Sequence, residues 1–144
     1  MTYDPLVFAA HIESWSEEQI ENTDKIVAGS ANDVYELATR RQPSVKQTGG
    51  SYREGFVAVD TGELIGSQLL VLNGSVIGQG PVAYEGILAQ MRAGDISDLI
   101  FTAPHARYHE YGVTGKFGGR FYVRNAVQQW DRIVEANADL YSGS

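Results

Sequence analysis

Apolar residues early in the chain recur at helical intervals. Ile20, Val27, Ala31, Val34 and Ala38 are separated by three, four or seven residues, and charged or polar residues fill the positions between them. Ser16-Glu-Glu-Gln19 fits a capping box, in which the Ser hydroxyl and the Gln amide satisfy backbone donors left over at a helix start. The pattern predicts one helix over 16–41. At about 1.5 Å per residue it is close to 40 Å long, more than a domain of this size needs to cover its core, so part of it is left for a neighbour. Gly29 inside it weakens any straight rod.

Residues 44–56 are polar, contain glycine and show no period, so they read as a loop. In Val59-Asp-Thr-Gly-Glu-Leu-Ile-Gly-Ser67, Asp60 and Thr61 can cap a short helical turn and Gly62 tolerates backbone angles closed to other residues. Runs at 69–72 and 75–78 flank Asn73-Gly74, the strongest short hairpin signal, and predict an antiparallel pair. Positions 84–91 carry a short helical pattern closed by Ala93-Gly94, and 96–102 read as a further strand. A last helix follows from Val123, Ala126, Val127, Trp130, Ile133 and Val134. Strands joined by tight turns, with helices before and after, predict an α+β fold: a small antiparallel sheet packed against a long N-terminal helix and a C-terminal helix. The chain reads as one domain over 1–144, with 1–14 and 141–144 as flexible termini.

Composition narrows the partners more than the fold. A chain of 144 residues buries roughly 68–70% of its unfolded surface, which is enough for a core without staples. It has no cysteine, so thiol chemistry, thiolate metal sites and disulfides are excluded. The net charge is −7, and residues 1–72 carry −6 of it, which argues against tight or sequence-reading nucleic-acid binding. No apolar run approaches the roughly 20 residues that span a bilayer, and the first residues lack a signal-peptide pattern, so the expectation is a soluble, unexported chain with no membrane partner.

Chemistry-bearing side chains crowd into Ala103-Pro-His-Ala-Arg-Tyr-His-Glu-Tyr-Gly112. His105 and His109, four apart, could chelate a metal from one helix face, with Glu110 or His11 as further ligand or base. A small metal-dependent enzyme using His105, His109 and Glu110 is therefore one reading. Against it, Pro104 and Gly112 bracket the segment and the HExxH order is missing. The other reading has Arg107 and Glu110 bonding loop backbone while the tyrosines pack. Gly112-Val-Thr-Gly-Lys116-Phe is not a phosphate loop: Glu110 stands where the first glycine is required, and Phe117 has no hydroxyl for magnesium. Residues 115–120 read as a flexible tip whose Lys, Phe and Arg could touch a partner. No Gly-x-Ser-x-Gly elbow occurs.

The long first helix, the 59–67 turn, the 103–112 segment and the terminal helix, in that order, resemble the tail-completion and neck (head–tail joining) proteins of long-tailed double-stranded DNA bacteriophages. That family has a Val-Asp-Thr-Gly-x-Leu-x-x-Ser turn before the sheet and a Tyr-Ala-x-Tyr-x-Glu-(Tyr/Phe)-Gly-Thr segment after it. Here His105 stands for the first Tyr and Val113 for the Thr, and 84–94 is extra material between strands. The resemblance implies a virion structural protein, not an enzyme, without a cofactor. It would form a homo-oligomeric ring, a hexamer, that completes or terminates the tail. Its partners would be a tail tube or tail terminator protein and a head-completion or connector protein, with double-stranded DNA passing through the lumen without specific binding. It would reside in the virion tail or neck, and in the host cytoplasm during assembly. The motif residues Asp60, Thr61, Gly62, Leu64, Ser67, Ala106, Arg107, Tyr108, Glu110, Tyr111 and Gly112 would then be architectural.

Overall fold

A computed structural model describes residues 4–43, 54–59, 62–81, 83–84, 86, 88–114 and 117–141. Helix α1 spans Pro5–Ala38. Asp4 caps it, its Oδ1 accepting the Leu6 N–H at 2.9 Å, and Pro5 occupies the first turn, where a missing N–H costs nothing. The expected start at Ser16 is therefore corrected. Residues 5–15 contain no breaker after Pro5 and simply continue the helix, so Ser16-Glu-Glu-Gln19 lies mid-helix and residues 5–14, read as part of a flexible terminus, are helical. At about 1.5 Å per residue α1 is roughly 51 Å long. Thr39, not Arg41, follows its last turn, its hydroxyl turned back to the Tyr35 carbonyl at 2.8 Å.

Two short strands, β1 (Arg41–Pro43) and β2 (Val57–Val59), pair in parallel. Helix α2 (Glu63–Gly66) leads into the sheet of β3 (Gln68–Leu72), β4 (Ser75–Gln79) and β5 (Ser97–Phe101), ordered β4-β3-β5 and antiparallel throughout. The hairpin turns at Asn73 and Gly74, whose φ angles of 51° and 85° are those of the mirror-image turn that matches strand twist. Asn73 also fixes the next strand, accepting from Ile96 N at 2.9 Å and donating to Asp95 at 3.1 Å. On β5, half-buried Ser97, Leu99 and Phe101 alternate with exposed Asp98 and Ile100, so one sheet face meets the helices. The expected helix over 84–91 is reduced, among the described residues, to a 3₁₀ turn at Leu88–Gln90; Tyr84 and Leu88 both enter the core under α1, but Gly86 between them has a φ of 72°, which a right-handed helix does not admit.

Helix α3 (Ala106–Tyr111) ends at Gly112, whose φ is 77°. The pair β6 (Gly112–Val113) and β7 (Phe117–Gly118) precedes α4 (Tyr122–Val127) and α5 (Trp130–Tyr141). The single C-terminal helix expected from periodicity is two. Both pack against α1, α4 touching α3 as well, and the chain turns at Gln128 and Gln129 between them. Gln129 bonds back to Asn125 across the turn.

Two cores result. One joins Ala31 of α1 to Leu70 of β3, Tyr84, Leu88 and Met91. The other gathers Val57, Leu64, Ile65, Ala103, Ala106 and Tyr122. No helix among the described residues is long and apolar enough to cross a membrane.

Candidate functional site

The second core brings together the two segments that the sequence singles out. Gly62 stands at the N-cap of α2 with φ 83°, a left-handed conformation that favours glycine, and it turns the chain so that Leu64 and Ile65 point inward. Ser67 closes that turn by donating to the Leu64 carbonyl at 2.7 Å. Its own carbonyl accepts both the N–H and the hydroxyl of Thr102, at 2.9 and 2.8 Å, which delivers the chain into the 103–112 segment. Asp60 and Thr61 lie outside the described residues.

Within 103–112, Glu110 does the joining. Its side chain is 5% exposed, and its two carboxylate oxygens accept the backbone N–H groups of Val123 at 2.8 Å and Arg124 at 2.9 Å. These are donors of the first turn of α4, which a helix cannot satisfy internally. The N-cap position of α4 is Phe121, with φ 50° and no capping oxygen, so a carboxylate from another helix supplies what the local sequence lacks. The backbone adds two more ties: Arg120 N–H donates to the His109 carbonyl at 2.8 Å, and Phe121 N–H to that of Glu110 at 3.1 Å. Tyr122, buried against Phe101, donates its hydroxyl to the Ala106 carbonyl at 3.0 Å. Burial first, then the Glu110 and Tyr111 charges, hold that phenol well above its ordinary value of 10.0.

Several members of this joint escape a reading of the sequence. A side chain on Gly119 would run into the Glu110 carbonyl oxygen and lie 2.7 Å from the Tyr111 carbonyl carbon, so two backbones cross there in contact. The glycine doublet 118–119 is the available signal, but it reads equally well as part of a flexible tip; Gly119 and Arg120 are in fact buried. Arg40 ties the end of α1 to the same region. Its guanidinium donates to the Gly55 carbonyl at 3.3 Å and to Asn125 Oδ1 at 3.0 Å, and it lies 4.3 Å from the centre of the Phe56 ring. Nothing in the sequence around Arg40 marks it.

Other residues of the segment behave differently from expectation. Arg107 is exposed, and Tyr108 and Tyr111, expected to pack, are 54% and 67% exposed because the six-residue helix turns Ala106 and Glu110 inward and its other faces out. His105 and His109 stand edge to face, ring centres 5.2 Å apart. Burial, then the neighbouring His105 and Arg120, lower the pKa of His109 below its usual 6.5. Among the described residues no group of three or more His, Asp or Glu is arranged to hold a metal; Glu110 faces α4, and His11 is exposed on the first turns of α1. No protein-family model matches the chain, and no significant match to it was found among the curated proteins or the solved structures compared.

Proposed function

We propose that this chain is a structural protein of the phage head–tail junction, which forms a ring that completes or terminates the tail and joins it to the neck or connector. The observation that carries the reading is that the two motifs behind the resemblance meet in one core, where Glu110 is used to cap α4. A side chain used in this way fixes the angle between α3 and α4, which supports an architectural rather than a chemical use of the segment. The exposed aromatic pair Tyr108 and Tyr111 supplies surface for subunits and for tail or neck partners. The acidic balance suits a lumen through which double-stranded DNA slides without specific binding.

The test is assembly. Particles produced without the protein accumulate filled heads and separate tails, and adding the purified chain joins them. Joined, infectious particles in its absence overturn the reading. A map of the assembled junction with the acidic residues facing outward overturns the lumen assignment alone. The adjacency of His105 and His109 keeps one alternative in view, a small metal-dependent enzyme. That reading requires stoichiometric metal in the purified protein that disappears in His109→Ala; equal metal content in both removes it.

A further inference from the structure

Helix α1 carries a heptad seam that α5 covers along only half its length. Phe8, Ile12, Trp15, Gln19, Asn22 and Ile26 alternate spacings of four and three, the repeat of a two-helix coiled coil, and the same register runs on to Gly29 and Asp33. The seam is apolar from Phe8 to Trp15, then turns polar at half-buried Gln19 and Asn22. In the C-terminal half, α5 lies in this seam and runs antiparallel to α1. A side chain on Gly29 would collide with Asn137, Asn137 Nδ2 donates to Asp33 at 2.9 Å, and Arg132 and Ile133 lie further on beside Leu37 and Arg40. The described part of α5 ends at Tyr141, a turn past Asn137, with its ring edge still reaching Gly29. Beyond that point α5 gives no cover: Phe8 is 52%, Ile12 48% and Trp15 59% exposed. Together they leave on the order of several hundred Å² of apolar surface, more than scattered exposed residues explain.

We propose that a second copy of this chain covers it, the two α1 helices pairing antiparallel through Phe8, Ile12, Trp15 and Gln19. Direction follows from α5. A parallel pair would bring both bodies and both α5 helices onto the same stretch of seam, whereas an antiparallel pair sends the bodies to opposite ends. Register follows from charge. With Ile12 set against Trp15, and Phe8 against the stem of Gln19, Glu18 lies beside the His11 of the second copy and Lys25 beside its Asp4. Sliding the pair by one heptad sets Glu18 against Asp4 in one direction and against a second Glu18 in the other, so only the first register flanks the seam with complementary groups. In it Asn22 falls at the edge of the contact, opposite Pro5, and the polar half of the seam stays outside the apolar layers. Lys25 also bonds Glu21 of its own helix at 3.3 Å and keeps further N–H groups for the contact. On the other side, Ser16 meets Ala9, small residues that let the helices approach. The inference does not rest on the junction reading: this contact is isologous and closes on itself, while a ring needs a separate heterologous one.

The chain has no cysteine, which makes the test direct. Sedimentation of the full chain from about 1 μM to about 0.5 mM, a range suited to an interface of this size, is expected to show a monomer–dimer equilibrium. Ile12→Asp would bury two carboxylates per dimer and is expected to weaken association by roughly a hundredfold or more. Because Ile12 is half exposed and belongs to neither core, the variant's circular dichroism and dilute melting curve should match the parent. His11→Cys mixed with Glu18→Cys and a short bis-maleimide is expected to give mixed cross-linked dimers, with neither variant linking to itself. Self-linking by either variant alone indicates a parallel pair or a slipped register and overturns the proposal. So does a monomer at every concentration, or a dimer that survives Ile12→Asp. Those last two results leave the junction reading standing, since it is tested on particles.

Discussion

Removing the buried Glu110 carboxylate should cost far more stability than removing an exposed charge, and the amount can be worked from its bonds. Glu110→Ala breaks two charge-assisted hydrogen bonds, of 2.8 and 2.9 Å, and leaves the Val123 and Arg124 N–H groups without their partner. A buried bond to a charged group contributes about 1.5–3 kcal/mol, but Val123 and Arg124 are exposed residues, so water recovers part of the loss. The cap alone is worth about 2 kcal/mol at most. Adding the small void left by a side chain 5% exposed brings the expected loss to about 3 kcal/mol. Glu110→Gln keeps the volume and one acceptor but turns an amide N–H toward a backbone N–H, and should lose about 2 kcal/mol. Urea unfolding followed by circular dichroism measures both, with exposed Glu135→Ala as control. For a chain of this length the Ala variant should melt roughly 12 °C lower. If Glu110→Ala costs less than about 0.5 kcal/mol, the level of an ordinary surface change, the carboxylate is not the cap and the argument built on it fails.

Gly119→Ala places a methyl against the backbone of Glu110 and Tyr111, neither of which can swing away; a loss of about 2–4 kcal/mol is expected by urea unfolding, and a neutral result contradicts the close crossing. Arg40→Ala removes the bonds to Gly55 and Asn125 and the cover of Phe56, and should cost about 2 kcal/mol, with Arg40→Lys recovering less than half because an ammonium loses the planar stacking on Phe56 and the Nε bond to the Leu37 carbonyl. The His109 shift gives a pH signature. Its folded pKa lies below 6.5, so the unfolded chain binds the proton more readily, and its contribution to stability, fully present above 6.5, is lost as pH falls below it; His109→Gln should flatten the melting temperature over that window. At the alkaline end the raised phenols of Tyr35 and Tyr122 stay neutral in the fold, so stability should decline once pH exceeds about 10, where the unfolded tyrosines ionise, and absorbance titration should find a slow, late fraction that Tyr122→Phe diminishes.

The sheet was legible because its signals are local. Asn73-Gly74 leaves the chain one easy turn, and the alternation on β5 follows from having one face covered. The start of α1 was misplaced because Ser16-Glu-Glu-Gln19 has the form of a capping box; such a box acts only where the preceding chain is not already helical, and here Asp4 and Pro5 begin the helix. The split of the last helix was not legible, since Val123 to Val134 keeps a helical period across the turn and both halves pack on α1. In the joint, the type of residue could be read but its partner could not. Glu110 lies 13 and 14 residues from the amides it caps, and Arg40 lies 85 residues from Asn125. Pairings over such separations depend on the packing of the second core, which no local pattern encodes.

A crowded polar segment invites a catalytic reading, and the bonds made by each group help to weigh that reading. General acid–base work needs a carboxylate that can reach a substrate proton and change its protonation state during turnover. Both oxygens of Glu110 hold backbone amides, and protonating either would weaken the cap on the first turn of α4. A metal centre built on His105 and His109 would need a third ligand, and Glu110 could supply one only by giving up the same cap. Catalysis through this segment would therefore have to loosen the joint at each cycle. An assembly role makes the opposite demand: α3 must hold α4 still while Tyr108, Tyr111 and Arg107 remain outside, and this is how the side chains are divided between interior and surface. The same division tells an experimenter where to cut. Substitutions at Tyr108 and Tyr111 should leave the unfolding curve within about 0.5 kcal/mol of the parent and, under the proposed junction role, weaken attachment to its partners, whereas substitutions at Glu110 or Gly119 should lower stability first and attachment only as a consequence.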